Sequence, residues 1–109
     1  MAAKNELLPG TLDMLILRVL SRGELHGWGL TQRLEQLSQS ALQVDEGSLY
    51  PSLYRMEDKG WIEAEWRQTE NNRRAKYYAL TRAGRKQLEK EQVLWERMSG
   101  IINLVMQSA

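Results

Sequence analysis

Gly47-Ser48-Leu49-Tyr50-Pro51-Ser52-Leu53-Tyr54-Arg55-Met56 reads as one short helix with an apolar back and a small, polar front. On a 3.6-residue period Leu49, Leu53 and Met56 fall on one side, the spacing of a face pressed into a core. Ser48, Pro51, Ser52 and Arg55 fall on the other, with Tyr50 and Tyr54 one turn apart along its flank. Hydroxyls, aromatic edges and one guanidinium therefore share a narrow surface. Such a surface fits the major groove of DNA, which admits a helix and rewards Arg, hydroxyl and apolar contacts to base edges and phosphates. Read alone, the same row is also explained by the solvated face of an amphipathic helix. Pro51 removes a backbone donor, which is tolerable near a helix start, so the first turn is expected at about Glu46 to Leu49.

Upstream, Thr11 opens a helix in which Leu12, Leu15, Ile16, Val19 and Leu20 form a stripe, and Gly23 closes it. Met14 and Leu17 lie off the stripe, so this helix is apolar nearly all round. Either it is the centre of the core or one side meets another chain. The first eight residues carry no sustained period and read as a loose arm. His26-Gly27-Trp28-Gly29 leads into a second helix with Leu30, Leu34 and Leu37 inward and Gln32, Arg33 and Gln36 outward; Gln32 joins the candidate DNA contacts. Leu42-Gln43-Val44 has the composition of a short strand, and Asp45 is the expected N-cap of the organising helix, which stops at Gly60.

Downstream, Trp61 to Trp66 alternates, placing Ile62, Ala64 and Trp66 on one face. Lys76-Tyr77-Tyr78-Ala79-Leu80 forms a second strand with Tyr78 and Leu80 buried. Arg67 to Arg74 joins them as a polar, basic hairpin tip. Three helices followed by such a hairpin is the layout of a winged helix, in which the third helix enters the major groove and the wing reaches phosphates or the minor groove.

Thr81 caps a final helix running to about Gln107. With Leu88 at heptad position a, the seam reads Leu88, Glu91, Trp95, Met98, Ile102, Val105, flanked by Leu94 and Ile101. Its far half has nothing left in the chain to cover it. The expectation is a homodimer built on this helix, with Leu88, Leu94, Trp95, Met98, Ile101, Ile102 and Val105 at the interface. Two recognition helices would then read a pseudo-palindromic double-stranded operator. The expected fold class is therefore mainly α with a small β-hairpin wing: a winged helix-turn-helix over residues 1–81 and one long dimerisation helix over 82–109.

Composition agrees with one modest domain. The chain has 109 residues, 42% of them hydrophobic, no cysteine and a formal charge of +1. Residues 35 to 65 hold seven acidic side chains against two basic ones, whereas residues 67 to 86 hold seven basic against one acidic. A local basic segment in a nearly neutral domain suits a docking face that neutralises phosphates. With no leader and no membrane-length apolar run, the sequence points to a cytoplasmic protein. His26 is the only histidine; without cysteine or a second histidine, no metal site and no cofactor are expected, and His26 reads as a turn residue satisfied by backbone. Enzyme chemistry is disfavoured because no nucleophile–base pair, converging carboxylates or phosphate-cradling glycine loop is present. The competing reading is a winged helix serving as a protein-interaction module without specific DNA binding. Ser48, Ser52 and Arg55 argue mildly against it, since protein interfaces favour larger apolar anchors.

Leu12 to Leu20, His26-Gly27-Trp28-Gly29-Leu30, Gly47 to Pro51 with Arg55-Met56-Glu57 and Gly60, Arg73-Arg74-Ala75-Lys76-Tyr77-Tyr78-Ala79-Leu80-Thr81 and Gly84 together resemble the PadR-type transcriptional regulators, most closely the short subfamily with a single dimerisation helix. The resemblance spans roughly residues 7 to 105. Trp28 stands where the family often has Tyr, and Ser48 where Thr is common. The resemblance implies a dimeric repressor released from DNA by a small aromatic or phenolic molecule. It assigns Ser48, Tyr50, Pro51 and Arg55 to the major-groove helix and Arg73, Arg74 and Lys76 to the wing. Trp95 resembles a residue that in some members lines a central aromatic pocket, with Met98 and Met14 as its flexible neighbours; the alternative is that Trp95 packs against its mate as core.

Overall fold

The computed structural model describes residues 10–109; the arm expected for the first eight residues lies outside them. Helix α1 (Thr11–Leu20) starts after Gly10, whose φ of 85° turns the chain into the helix without any side-chain cap. Ile16, Leu17, Val19 and Leu20 are all buried, and Leu12, Met14 and Leu15 pack partly buried against them. Among the described residues α1 is therefore the centre of the core, with Leu12, Met14 and Leu15 left only partly covered.

Strand β1 (Leu25–His26) and helix α2 (Gly27–Leu37) follow. His26 ends one and caps the other, its Nδ1 accepting a 2.9 Å hydrogen bond from the Gly29 amide. Leu30 and Leu34 are buried as expected, but Leu37 is 59% exposed, because the helix ends beyond the core's edge. No strand forms at Leu42–Val44; both apolar side chains instead pack partly buried against the core from a loop. The strand that completes the sheet is β1.

Helix α3 (Glu46–Asp58) is capped by Asp45, whose Oδ1 accepts from the Ser48 amide at 2.9 Å. Leu49, Leu53 and Met56 are at most 1% exposed, as their spacing requires. The helix starts at Glu46, where the first turn was expected, so Pro51 falls in the second turn. Pro51 and Gly47, whose carbonyl loses its donor, are both exposed, so water can replace the missing bond.

Strands β2 (Ile62–Gln68) and β3 (Arg74–Leu80) pair antiparallel from Ile62↔Leu80 to Gln68↔Arg74. The hairpin is thus longer, and its tip shorter, than residues 67–74 suggested. β1 joins the other edge of β3 through Leu25↔Tyr78 and His26↔Tyr77, giving the order β1-β3-β2. Ile62 and Tyr78 close the core from the sheet side.

Helix α4 (Arg82–Ser108) is capped by the Thr81 hydroxyl, which accepts from the Gly84 amide at 3.0 Å and lies 2.6 Å from the Gly60 and 2.9 Å from the Trp61 carbonyl oxygen as its acceptors. A Cβ on Gly84 would lie 1.9 Å from the Trp61 carbonyl oxygen, so only glycine lets α4 start this close to β2. Leu88 is 5% exposed and belongs to the core cluster. The winged-helix core and the first two turns of α4 therefore share one hydrophobic core, while the rest of α4 extends away along the molecule's 57 Å axis. Four helices and a three-stranded antiparallel sheet with a long C-terminal helix make a winged helix.

Candidate functional site

The surface facing away from the core on α3 is built from Gly47, Tyr50, Pro51 and Tyr54, all exposed, with Ser48 half-buried at its edge. Tyr54 is 66% exposed, whereas Tyr50 is more constrained: a Cβ on buried Gly27 would meet its Oη at 2.6 Å, so the phenol lies over the first turn of α2. The tyrosine thus joins the packing of two helices to the outer face, because a phenol can bury its ring edge and leave its hydroxyl at the surface.

Two residues of the expected row are placed differently. Ser52 is 3% exposed, because the buried set on α3 is Leu49, Ser52, Leu53 and Met56, the full i, i+3, i+4, i+7 face rather than the narrower stripe of its apolar members. Its Oγ accepts from Arg55 Nη2 at 3.3 Å. Arg55 remains half-exposed but points towards α1, where the same Nη2 donates to Asp13 Oδ1 and Oδ2 at 3.0 and 3.2 Å. Ser52 is therefore a support for Arg55 and offers almost no surface of its own. Arg55 must leave or share an ion pair to reach one.

The wing supplies the second half of the surface. Between it and α3 lies a cleft of about 550 Å³ whose walls carry Trp28, Tyr54 and Trp66 together with Arg73, Arg74 and Lys76. Arg73 stands exposed at the turn, where Thr69 and Arg73 exchange backbone and side-chain hydrogen bonds and Asn72 adopts a φ of 60°. Arg74 stacks its guanidinium 5.3 Å from the Trp66 ring centre. Lys76 differs from the expectation of a free wing cation. It is half-buried, 3.2 Å from Glu57 Oε1, and within 6 Å of both the Tyr54 and Tyr78 rings. Its charge stitches β3 to α3. Burial and the neighbouring Glu57 carboxylate push the Tyr78 phenol up to about 12, so it stays neutral beneath this cleft. Arg67, at the start of the expected basic tip, is instead in the ladder and clamped by Glu24 and Glu65, the former on both guanidinium nitrogens. Gln32 is exposed on α2 and does not line the cleft.

Trp28 and Trp66 are the features of this surface that the sequence expectation missed. Alternation did put Trp66 on the core face of β2, but Ile62 and Ala64 already reach the core. At about 3.3 Å per residue Trp66 lies some 13 Å along the strand from Ile62. The residue is 57% exposed beside the basic wing.

A second cleft, of about 340 Å³, lies between α1 and α4. Met14, Trp95 and Met98 meet there, with Leu94, Ile102 and Glu91. Trp95 is 44% exposed, and Leu94, Met98, Ile101, Ile102 and Val105 are all likewise uncovered along the same helix. Leu88, expected at an interface between chains, is instead enclosed by its own core, since its seam position falls where α4 still lies against α1. Among the described residues no cluster of three or more His, Cys, Asp or Glu could hold a metal ion, and no helix is long and apolar enough to cross a membrane.

Residues 16–90 match the family described as the transcriptional regulator PadR-like family. Among curated relatives, a transcriptional regulator of Mycobacterium tuberculosis, Rv3488, is 36% identical over 84 residues, covering 77% of this chain and 75% of its own. Among solved structures, a PadR-like transcriptional regulator from Bacillus cereus superposes with a TM-score of 0.77 at 32% identity, covering 92% of this chain and 95% of its own. A transcriptional regulator from Clostridium thermocellum superposes with a TM-score of 0.80 at 26% identity, covering 86% and 91%.

Proposed function

Since the chain belongs to the PadR-like family of transcriptional regulators and is a DNA-binding regulator, we propose that it acts as a homodimeric repressor released from its operator by a small aromatic ligand. The observation that carries this reading is the bare apolar face on the far half of α4, from Trp95 to Val105. Four large side chains at seam spacing, with Ile101 beside them, would keep considerable apolar surface in water, and each is worth about 1.5 to 3 kcal/mol when fully buried. A second copy related by a two-fold axis covers that face with the same face, so no other partner chemistry is required.

Dimerisation then sets the DNA geometry. Each copy offers Tyr50, Pro51, Tyr54 and the edge of Ser48 to a major groove, and Arg73 and Arg74 to the flanking backbone. Arg55 contributes once it is drawn from Asp13. The two α3 helices would address half-sites about 34 to 36 Å apart, or a multiple of that. The Met14, Trp95 and Met98 cleft lies on the face that the second copy closes, so a planar molecule held there would touch both copies. A ligand preferring one mutual orientation of the copies would change the spacing of the two α3 helices and so the affinity for DNA.

The test is a fluorescence-anisotropy titration against duplex DNA from the region upstream of its own gene and against a scrambled duplex, at about 50 and 200 mM salt. Multi-angle light scattering of the same samples gives the oligomeric state. A dimer that retains preference for the upstream duplex at the higher salt supports the reading. A monomer at micromolar concentration, or equal binding that vanishes at the higher salt, overturns it.

A further inference from the structure

The α1–α4 cleft contains one group that an apolar ligand would not need. Glu91 lines it from α4, and its Oε2 is buried without a hydrogen-bond partner among the described residues. Gln87, one turn earlier on α4, is the polar side chain beside the carboxyl and favours its ionised form. Met14, Leu94, Trp95 and Met98 line the same cleft together with Thr11, and Asp13 and Lys59 are the charged side chains nearby. Burial, and then the nearby Asp13 carboxylate, push the Glu91 carboxyl above its ordinary range. A buried acceptor without a donor costs free energy that an apolar residue at the same seam position would avoid. Core packing therefore does not account for an acid at this place.

We infer that Glu91 sets the selectivity of this cleft, and that the ligand is a planar aromatic carrying a protonated amine, its ammonium donating to Glu91 Oε2 while its ring lies against Trp95. The inference rests on the ligand-cleft reading above and narrows it. A charge-assisted hydrogen bond is roughly twice as strong as a neutral one. A cation beside an indole face gains further attraction. An aromatic carboxylate or phenolate meets the reverse, the like charge of Glu91 itself. The Met14 and Met98 thioethers can repack around rings of different outline, so the cleft discriminates by charge more than by shape.

The experiment is isothermal titration calorimetry at pH 7 with three probes that share one ring: 1-naphthylmethylamine, 1-naphthalenemethanol and 1-naphthoate. Wild type should bind the ammonium about tenfold more tightly than the alcohol, with the carboxylate weakest. In Glu91→Gln the ammonium and the alcohol should come within about twofold of each other, the alcohol's affinity staying near its wild-type value. Trp95→Phe should weaken all three together. Equal binding of the three probes to wild type, or a preference for the naphthoate, overturns the charge selectivity while leaving the cleft a ligand site. A preference for the ammonium that survives in Glu91→Gln also removes Glu91 from the role. No binding of any probe to wild type overturns the ligand-cleft reading and the inference with it. The ranking in wild type needs no variant to fold.

Discussion

Helix α3 buries Leu49, Leu53 and Met56 almost completely within the chain, whereas α4 buries Leu88 and then leaves Leu94, Trp95, Met98, Ile101, Ile102 and Val105 uncovered. Both helices carry apolar residues at helical spacing, and α4 is capped as well as α3 is. The difference is one of distance. A helix of 27 residues is about 40 Å long, and α1 can cover only its beginning. The comparison teaches that an apolar stripe reports that a surface will be covered and does not say whether the cover comes from the same chain. Leu88 and Ile102 occupy the same heptad position and have opposite fates.

The comparison breaks most visibly at Ile102. Ile102→Asp places a charge in the proposed interface and should return a monomer in light scattering, with a native circular dichroism spectrum and operator affinity reduced by at least about 100-fold. A dimer that survives this change would show that the far half of α4 is not its interface. Leu88→Ala should do the converse. It should cost about 2 to 5 kcal/mol in unfolding, read by urea denaturation, because the cavity opens in the chain's own core.

The two halves of the DNA-facing surface can be separated in the same manner. Arg55→Ala should cost about 1 to 3 kcal/mol in operator binding if the guanidinium leaves Asp13 to read a base, with the loss confined to the specific duplex. Arg73→Ala should weaken specific and scrambled duplexes alike and lower the salt slope by about one. The smallest effect is expected at Glu91. Its folded pKa lies above the ordinary 4.5, so ionising it in the folded state opposes folding at neutral pH, and the penalty fades as pH falls and the group protonates. Glu91→Gln should therefore raise the thermal midpoint slightly at pH 7, and the gain should shrink as pH drops towards 4.5.

Most of the fold was legible because its signals are local. Asp45 and Thr81 cap the helices that their spacing marked, and Leu49, Leu53 and Met56 lie where a 3.6-residue period put them. Strand β1 was not legible. Two residues have no periodicity, and Leu25 and His26 are extended because β3 offers an edge to pair with. The expected strand at Leu42–Val44 had the right composition but pairs with no strand, and its apolar side chains are used against the core from a loop.

The candidate site was legible by element and less so by residue. Sequence placed α3 and the wing on one surface, and Tyr50, Tyr54, Arg73 and Arg74 are there. It could not foresee that Lys76 would be held by Glu57, nineteen positions away, or Arg55 by Asp13, forty-two positions away. Nor could it tell that Ser52 would fall inside the buried arc. A small hydroxyl tolerates either side of a helix, and the width of the arc depends on what packs against it.

The amino-acid sequence by itself determined the helices, the Asp45 and Thr81 caps, the hairpin, the basic wing and the family, since these follow from spacing along the chain and from backbone hydrogen bonds within a few residues. Only the tertiary structure decided which cations remain available to a phosphate, which seam residues α1 covers, and that Glu91 has an oxygen with no partner among the described residues. Those outcomes depend on which distant side chains arrive at the same place, and charge pairing and desolvation act over ångströms in space, not over positions in sequence.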